Sequence, residues 1–358
     1  MAGNKLIIVG THSTETRGGI SAAVSGYEQG FTQQSIEFIR VNSHSDLRSR
    51  IFTWLSAWFQ VLQLSVKYRS RAVFWFHCGP WLSLTRKWSF AVIARLFGCQ
   101  TVAHMHSPTL HNYINSQYGQ FLLKLFFAPF GRVIALTPWW KDQLVLFGIN
   151  KPIDVCANPV SEDILSAAIQ TLSTPKIVRE PQGDIVILSM ARLIEGKGIE
   201  HVIDAMAILP EHYHLKVAGE GPLKQLLIQR AASLKLQHRV TFVGWVDSVI
   251  KHNLFNSVDI FCLPSKYDSF GVVFIEAMAF DLPIIACDWG PITDVVTSEV
   301  GLLVPYCHPQ AIADSVETLA KNYQDYWGKG PQRVMDNFSP LTCCKNVINS
   351  FFQQDNSA

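Results

Sequence analysis

Two doubly wound α/β domains are the fold class that this 358-residue sequence predicts, and three observations carry the expectation. Short apolar strands alternate with helical segments through the first half, and the scheme repeats in the second. A composition of 48% hydrophobic and 16% charged residues is ample for two cores. Between the halves, the stretch from Asn158 to Gly183 turns polar and is broken by prolines, as a domain boundary would be.

The elements follow in order. KLIIVG (5–10) reads as the first strand. Its apolar run is too short for a signal peptide and passes directly into a polar, Gly-rich loop, so export is not expected and a cytoplasmic setting is. AVFWF (72–76), TVAHM (101–105) and RVIALT (132–137) supply further strands, completing a first domain expected over 1–170. DIVILSM (184–190), HLKVAG (214–219), VTFVG (240–244), DIFCLP (259–264) and PIIAC (283–287) supply the second, over 171–337. FSPLTCCKNVINSFF (338–352) has the apolar spacing of a helix, and the residues after it are expected to be disordered. Apolar stretches at 72–84, 89–98 and 121–130 are interrupted by His, Pro, Arg or Lys before the ~18 residues that a membrane span requires. Eight cysteines show no metal-ligand spacing, and Cys262 and Cys287 lie in strand-like runs, as reduced buried thiols do.

Charge is uneven. Residues 1–150 hold 14 Lys+Arg against 5 Asp+Glu (+9), and the remainder 16 against 23 (−7). No acid stands between Asp46 and Asp142, while Arg48, Arg50, Lys67, Arg69, Arg71, Arg86, Lys87 and Arg95 interleave with Trp54, Trp58, Trp81 and Trp88. An anionic membrane surface attracts such a pattern; a plainer reading has the aromatics in helix cores and the cations merely solvating outer faces. Nucleic acid, the rival polyanion, is not expected, since no recognised nucleic-acid module accompanies the charge.

Chemistry concentrates in two stretches. In DIVILSMARLIEGKGIEHVIDAMAIL, Arg192 and Lys197 occupy a strand-to-helix loop, with the helix starting near Gly198; cations beside the amides of a helix start suit phosphates. In PSKYDSFGVVFIEAMAFDLPIIACDWG, Asp268 precedes a helix from which Glu276 projects. A fully helical connection would place them ~12 Å apart, beyond the roughly 5–9.5 Å of a glycosidase pair, which suits two contacts along one extended ligand. Taken alone, Asp268 reads first as a cap for a helix beginning near Ser269. Glu276, on a helix apolar on most sides, needs a partner. His106 ends a strand at the carboxyl edge of the first sheet, where open α/β domains bind ligands, whereas His104 is expected to point into the core.

These segments, with RGGI (17–20), AHMHSP (103–108), NPV (158–160), ARLIEGKG (191–198), GEGP (219–222), FVGWV (242–246) and PSKYDSFGVVFIEAMA (264–279), resemble the retaining glycosyltransferases of the group 1 class, glycosyltransferase family 4, in both order and spacing. The resemblance implies a GT-B fold, two Rossmann-like domains with a cleft between them and a C-terminal helix crossing back to the first. It also implies transfer of a sugar from a nucleotide-diphosphate-sugar to a saccharide or lipid-linked glycan acceptor, as in bacterial surface polysaccharide or lipopolysaccharide assembly, without metal or cofactor. The sequence contains no Asp-x-Asp element. By the same resemblance, Arg192 and Lys197 hold the diphosphate and stabilise charge on the leaving group. His106 lies beside the donor sugar, and Asp268 binds hydroxyls of the transferred sugar. Glu276 binds the ribose, while Ser269, Phe270, Gly271 and Val272 hold the diphosphate or sugar at the helix start. Gly18 and Gly19 let backbone approach the donor phosphate. Gly221 shapes the pyrophosphate pocket, and Gly244, Trp245 and Val246 the base pocket, where Trp245 either flanks the base or simply packs. One departure is specific: Asp268 stands where the family's Glu-x7-Glu element has Glu. Two other classes fit the same fold, a nucleotide-sugar epimerase and a catalytically weak sugar-nucleotide-binding subunit.

Overall fold

The computed structural model describes residues 4–12, 15, 19–44, 46–47, 49–107, 117–174 and 183–352. It divides into two compact units, Met1–Glu162 with Asn337–Ala358, and Asp163–Asp336. Each is one six-stranded parallel sheet with helices.

In the first unit, β1 (Lys5–Thr11), β2 (Phe38–His44), β3 (Ala72–Cys78), β4 (Gln100–Met105), β5 (Arg132–Ala135) and β6 (Ile153–Val155) are ordered β2-β1-β3-β4-β5-β6. The central β3, AVFWFHC, is buried at all seven positions, the continuous apolar run expected of a strand covered on both faces. Helices α1 (Gly19–Gln33), α2 (Arg50–Tyr68), α3 (Trp81–Leu96), α4 (Gln117–Phe127) and α5 (Pro138–Leu146) supply the crossovers. The chain's last helix, α14 (Pro340–Phe352), packs on α1. Gly30 permits that contact, because a Cβ there would lie 2.5 Å from Cys344 Sγ and 2.7 Å from the Pro340 carbonyl. Phe351 completes an aromatic core, its ring 5.4 Å from Trp75, which meets Tyr27 edge-on at 4.7 Å. The Tyr27 hydroxyl donates to the Ala157 carbonyl at 2.7 Å, so this buried phenol is satisfied.

In the second unit, after α6 (Glu162–Ser173), the strands are β7 (Ile185–Met190), β8 (Tyr213–Ala218), β9 (Val240–Gly244), β10 (Ile260–Leu263), β11 (Ile284–Cys287) and β12 (Gly301–Val304), ordered β12-β11-β10-β7-β8-β9. Counted from β7, this is the Rossmann order, and its reversal between β7 and β10 opens a crevice at their carboxyl ends. The helices are α7 (Ile199–Met206), α8 (Lys224–Ser233), α9 (Ser248–Asn256), α10 (Val272–Ala279), α11 (Ile292–Val295), α12 (Pro309–Lys321) and α13 (Lys329–Arg333). All eight cysteines are free thiols, and only Cys307 is exposed. Among the described residues no helix is long and apolar enough to cross a membrane.

Three strands escape the sequence reading: β2, β6 and β12. All are sheet edges, open on one side, so β2 (FIRVNSH) alternates polar residues and β6 is only three residues long. Lys87, grouped above with surface cations, is in fact fully buried in α3.

Candidate functional site

Glycines let the loops at the β7/β10 switch point lie against each other. Gly198, the N-cap of α7, has φ 74°, and a Cβ there would sit 2.5 Å from the Pro264 carbonyl oxygen. A Cβ on Gly196 would collide with the Tyr267 ring, and the Lys266 amide donates to the Gly196 carbonyl at 2.8 Å. The β7 loop is thereby pinned to the β10 loop, and Lys197 Nζ reaches Asp268 Oδ1 at 2.7 Å. The second oxygen, Asp268 Oδ2, is buried without a hydrogen bond. Such an orphaned carboxylate oxygen needs a donor from outside the protein.

Asp268 does not cap the helix. The N-cap of α10 is Gly271, left-handed at φ 72° and φ-restricted to glycine by Phe274 and Ile292, which a Cβ would approach to 2.5 and 2.7 Å. With no side-chain cap, the first amides of α10 stay available to an anion beside Asp268. Phe270 is buried, whereas Ser269 and Val272 are half-buried. Farther along α10, Glu276 pairs with Lys251 of α9 at 2.7 Å. Sequence reasoning missed Lys251; nothing local links it to a carboxylate 25 positions away.

The next two loops join the same edge. The Ala191 amide donates to the Ala218 carbonyl (3.1 Å), that of Leu193 to Glu220 (3.0 Å), and that of Gly219 to Gly244 (2.7 Å). Gly219 and Gly221 have no room for a Cβ, which would strike the carbonyls of Ala191 and Leu193. Arg192, between those carbonyls, is exposed and has no acid partner among the described residues. Trp245 is 71% exposed, so it does not pack, and Val246 beside it is half-buried. The structure thus brings Arg192, Lys197, Gly221, Gly244, Trp245, Asp268 and the start of α10 to one sheet edge.

In the first unit, Gly19 opens α1 facing free space, and Gly18 lies outside the described residues. His106 stands at the end of β4 in a cluster of three buried imidazoles: its Nε2 is 2.9 Å from His77 Nδ1, and its ring centroid is 4.3 Å from that of His104. Burial, followed by the nearby Lys87, lowers the His106 pKa to about 3, and burial holds His77 and His104 well below their ordinary values. All three are therefore neutral near pH 7. One nitrogen from each lies within 4.8 Å of the others, a spacing a metal ion could bridge. The neighbouring Lys87 ammonium opposes a second cation there.

Residues 172–333 match the family described as glycosyl transferases group 1. The matched stretch lies within the second unit, which is similar to this family. Among similar proteins, an uncharacterized glycosyltransferase of Methanocaldococcus jannaschii is 30% identical over 221 residues, 60% of this chain and 55% of its own length. The lipopolysaccharide core biosynthesis glycosyltransferase LpsE of Rhizobium meliloti is 31% identical over 207 residues, 57% of this chain and 58% of its own. The chain spans about half the length of the curated relatives it matches. Among solved structures, Anabaena HepE in complex with UDP superposes with a TM-score of 0.71 at 17% identity, covering 97% of this chain and 99% of that one. That likeness establishes the GT-B fold. The family match holds Arg192, Lys197, Asp268 and Glu276, while Gly19 and His106 lie outside it.

Proposed function

We propose that the protein is a retaining, metal-independent glycosyltransferase that moves a sugar from a nucleotide-diphosphate-sugar to a saccharide or lipid-linked glycan acceptor in bacterial surface polysaccharide or lipopolysaccharide synthesis. The observation that carries this reading is the edge at the β7/β10 switch point: an unpaired Arg192, the Lys197–Asp268 pair with one orphaned oxygen, and an uncapped helix start. Cations and amides there suit a diphosphate, and the orphaned carboxylate oxygen suits a sugar hydroxyl. Relatives supply the class of donor and setting: HepE has been crystallised with UDP-glucose, and LpsE is named for lipopolysaccharide core biosynthesis.

In this reaction the bond from the anomeric carbon to the β-phosphate oxygen breaks, and Arg192 and Lys197 stabilise the charge left on the diphosphate. The acceptor hydroxyl attacks from the same face and gives its proton to the departing phosphate oxygen, so no separate base is required. His106, neutral through the physiological range, serves as a hydrogen-bonding group beside the sugar. The unit holding residues 163–336 binds donor, and the basic N-terminal unit binds acceptor. That unit also docks on an anionic membrane at the cytoplasmic face: Ile51, Leu55 and Phe59, at i, i+4 and i+8 of α2 with Phe52 beside them, are exposed, as are Lys67, Arg69 and Arg71.

A thermal-denaturation screen against nucleoside diphosphates tests the donor site, since a ligand at 100 times its Kd stabilises by ~2.7 kcal/mol. Stabilisation by one base, followed by acceptor-dependent release of that nucleotide from its sugar conjugate, is the expected result. Donor epimerisation without acceptor assigns the chain instead to the epimerases, and binding without turnover makes it a sugar-nucleotide-binding subunit.

A further inference from the structure

At the carboxyl edge of the first sheet three cations, Arg50, Arg86 and Lys87, have no carboxylate ion-pair partner among the described residues. Arg50 begins α2, which packs against both β2 and α3. Arg86, on the first turns of α3, donates to the carbonyls of Leu82 (3.1 Å) and Ser43 (3.3 Å), the latter at the end of β2. Lys87 follows it, wholly buried, with Ser83 Oγ as its hydrogen-bond partner at 2.9 Å. Among the described residues none of the three pairs with a carboxylate, whereas Arg40 nearby is paired with Glu28. The acid in the neighbourhood, Asp46, lies 3.3 Å from His44. Burial and then the Arg50 charge lower the Arg86 pKa, and burial foremost brings Lys87 down to about 8, so the cations remain charged near pH 7 while repelling one another. The α2 N-terminus adds amides, because Ser49 makes no side-chain cap.

A buried ammonium without a counter-ion, with the Arg86 guanidinium beside it, is costly unless an anion arrives. We propose that Arg50 and Arg86, backed by Lys87, form a receptor for an oxyanion, a phosphate or carboxylate carried by the acceptor of the transfer. The acceptor role rests on the transferase reading, and the oxyanion site does not. Lys87 is near enough to His106 to lower its pKa, so the receptor neighbours the residue assigned to the reacting sugar. A neutral saccharide would leave these cations unmatched, so the acceptor is an anionic one, bearing its charge near the accepting hydroxyl.

The test uses the full chain at low salt with the nucleoside diphosphate that stabilises it held at saturation, so that the donor phosphate site is filled. Calorimetric titration with inorganic phosphate and with glucuronate should show saturable binding, weakened at least tenfold in Arg50→Gln/Arg86→Gln; Arg50→Gln alone, an exposed change, should weaken it measurably. Vesicles of phosphatidylglycerol and of phosphatidylcholine form the second arm. Loss of soluble-anion binding in the variant assigns the oxyanion to a soluble acceptor group. A tenfold loss confined to phosphatidylglycerol vesicles assigns it to a lipid headgroup. If wild type and variant bind the soluble anions and the phosphatidylglycerol vesicles alike, or wild type binds none of them, the receptor does not exist. If no nucleoside diphosphate stabilises the protein, the transferase reading fails separately, and the phosphate titration stands on its own.

Discussion

Removing Lys197 should separate the structural from the chemical role of its ion pair with Asp268. At 2.7 Å and an effective dielectric constant near 20, the attraction is about 6 kcal/mol before desolvation. Losing one partner of a fully buried pair costs about 3–5 kcal/mol, and the residual exposure here, 15% for Lys197 and 20% for Asp268, reduces that to about 2 kcal/mol. Lys197→Ala should therefore lower stability by ~2 kcal/mol, because Asp268 keeps its charge with neither oxygen matched. Asp268→Asn removes that stranded charge, so the double variant should recover about 1 kcal/mol, a coupling that a double-mutant cycle in urea resolves. Catalysis should not recover. Each single change should slow transfer by roughly 100-fold or more, equivalent to ~2.7 kcal/mol of lost transition-state stabilisation, and the double variant should be no faster. Asp268→Glu should be tolerated or shift donor preference, since it restores the family's usual acid. Nucleotide release with and without acceptor gives the rates. A folded Lys197→Ala enzyme working at the wild-type rate, or normal transfer by Asp268→Asn, would refute the assignment.

Arg192→Ala, which removes an exposed side chain without an acid partner, should leave the urea midpoint unchanged while lowering turnover roughly 100-fold; parallel losses in both would mark it as structural. Gly271→Ala forces a Cβ toward Phe274 and Ile292 at φ 72° and should cost about 1–3 kcal/mol and weaken nucleoside diphosphate binding, whereas a neutral effect in calorimetric titration would remove the helix start from the site. His106, with a folded pKa of about 3 against an unfolded value of 6.5, contributes stability that is complete above pH 6.5 and lost as pH falls toward 3. About 2.7 kcal/mol should be gone by pH 4.5, and a denaturation midpoint unchanged between pH 7 and 4.5 contradicts this. The protein should co-sediment with anionic but not zwitterionic vesicles, and Phe52→Ser/Phe59→Ser with Arg69→Ser/Arg71→Ser should reduce that binding without changing donor affinity; equal sedimentation with both vesicle types removes membrane docking.

The sequence by itself determined the two parallel sheets, because their central strands are buried on both faces and must be written as unbroken apolar runs such as AVFWF and DIVILSM. It determined the position of α7 after Gly198 and, through motif order, the resemblance to the group 1 class that residues 172–333 match. The edge strands β2 and β6 were illegible because one open side leaves the first with polar residues and the second only three residues long. The rest was decided only in three dimensions. An isolated Asp before a helix reads as a cap, and it took the laying of one glycine loop on another to show that Asp268 meets Lys197, 71 positions away, while Gly271 begins the helix. Lys251 and His77 were invisible for the same reason: a lysine on α9 and a histidine on β3 gain meaning from the Glu276 and His106 that packing brings within 2.7 and 2.9 Å. Lys87 makes the point from the other direction, since its neighbours in sequence are those of a surface cation and its burial follows from how α3 sits against the sheet. Secondary structure is set by contacts a few residues long, which a linear pattern encodes, whereas a buried charge is defined by partners that only the assembled sheet supplies.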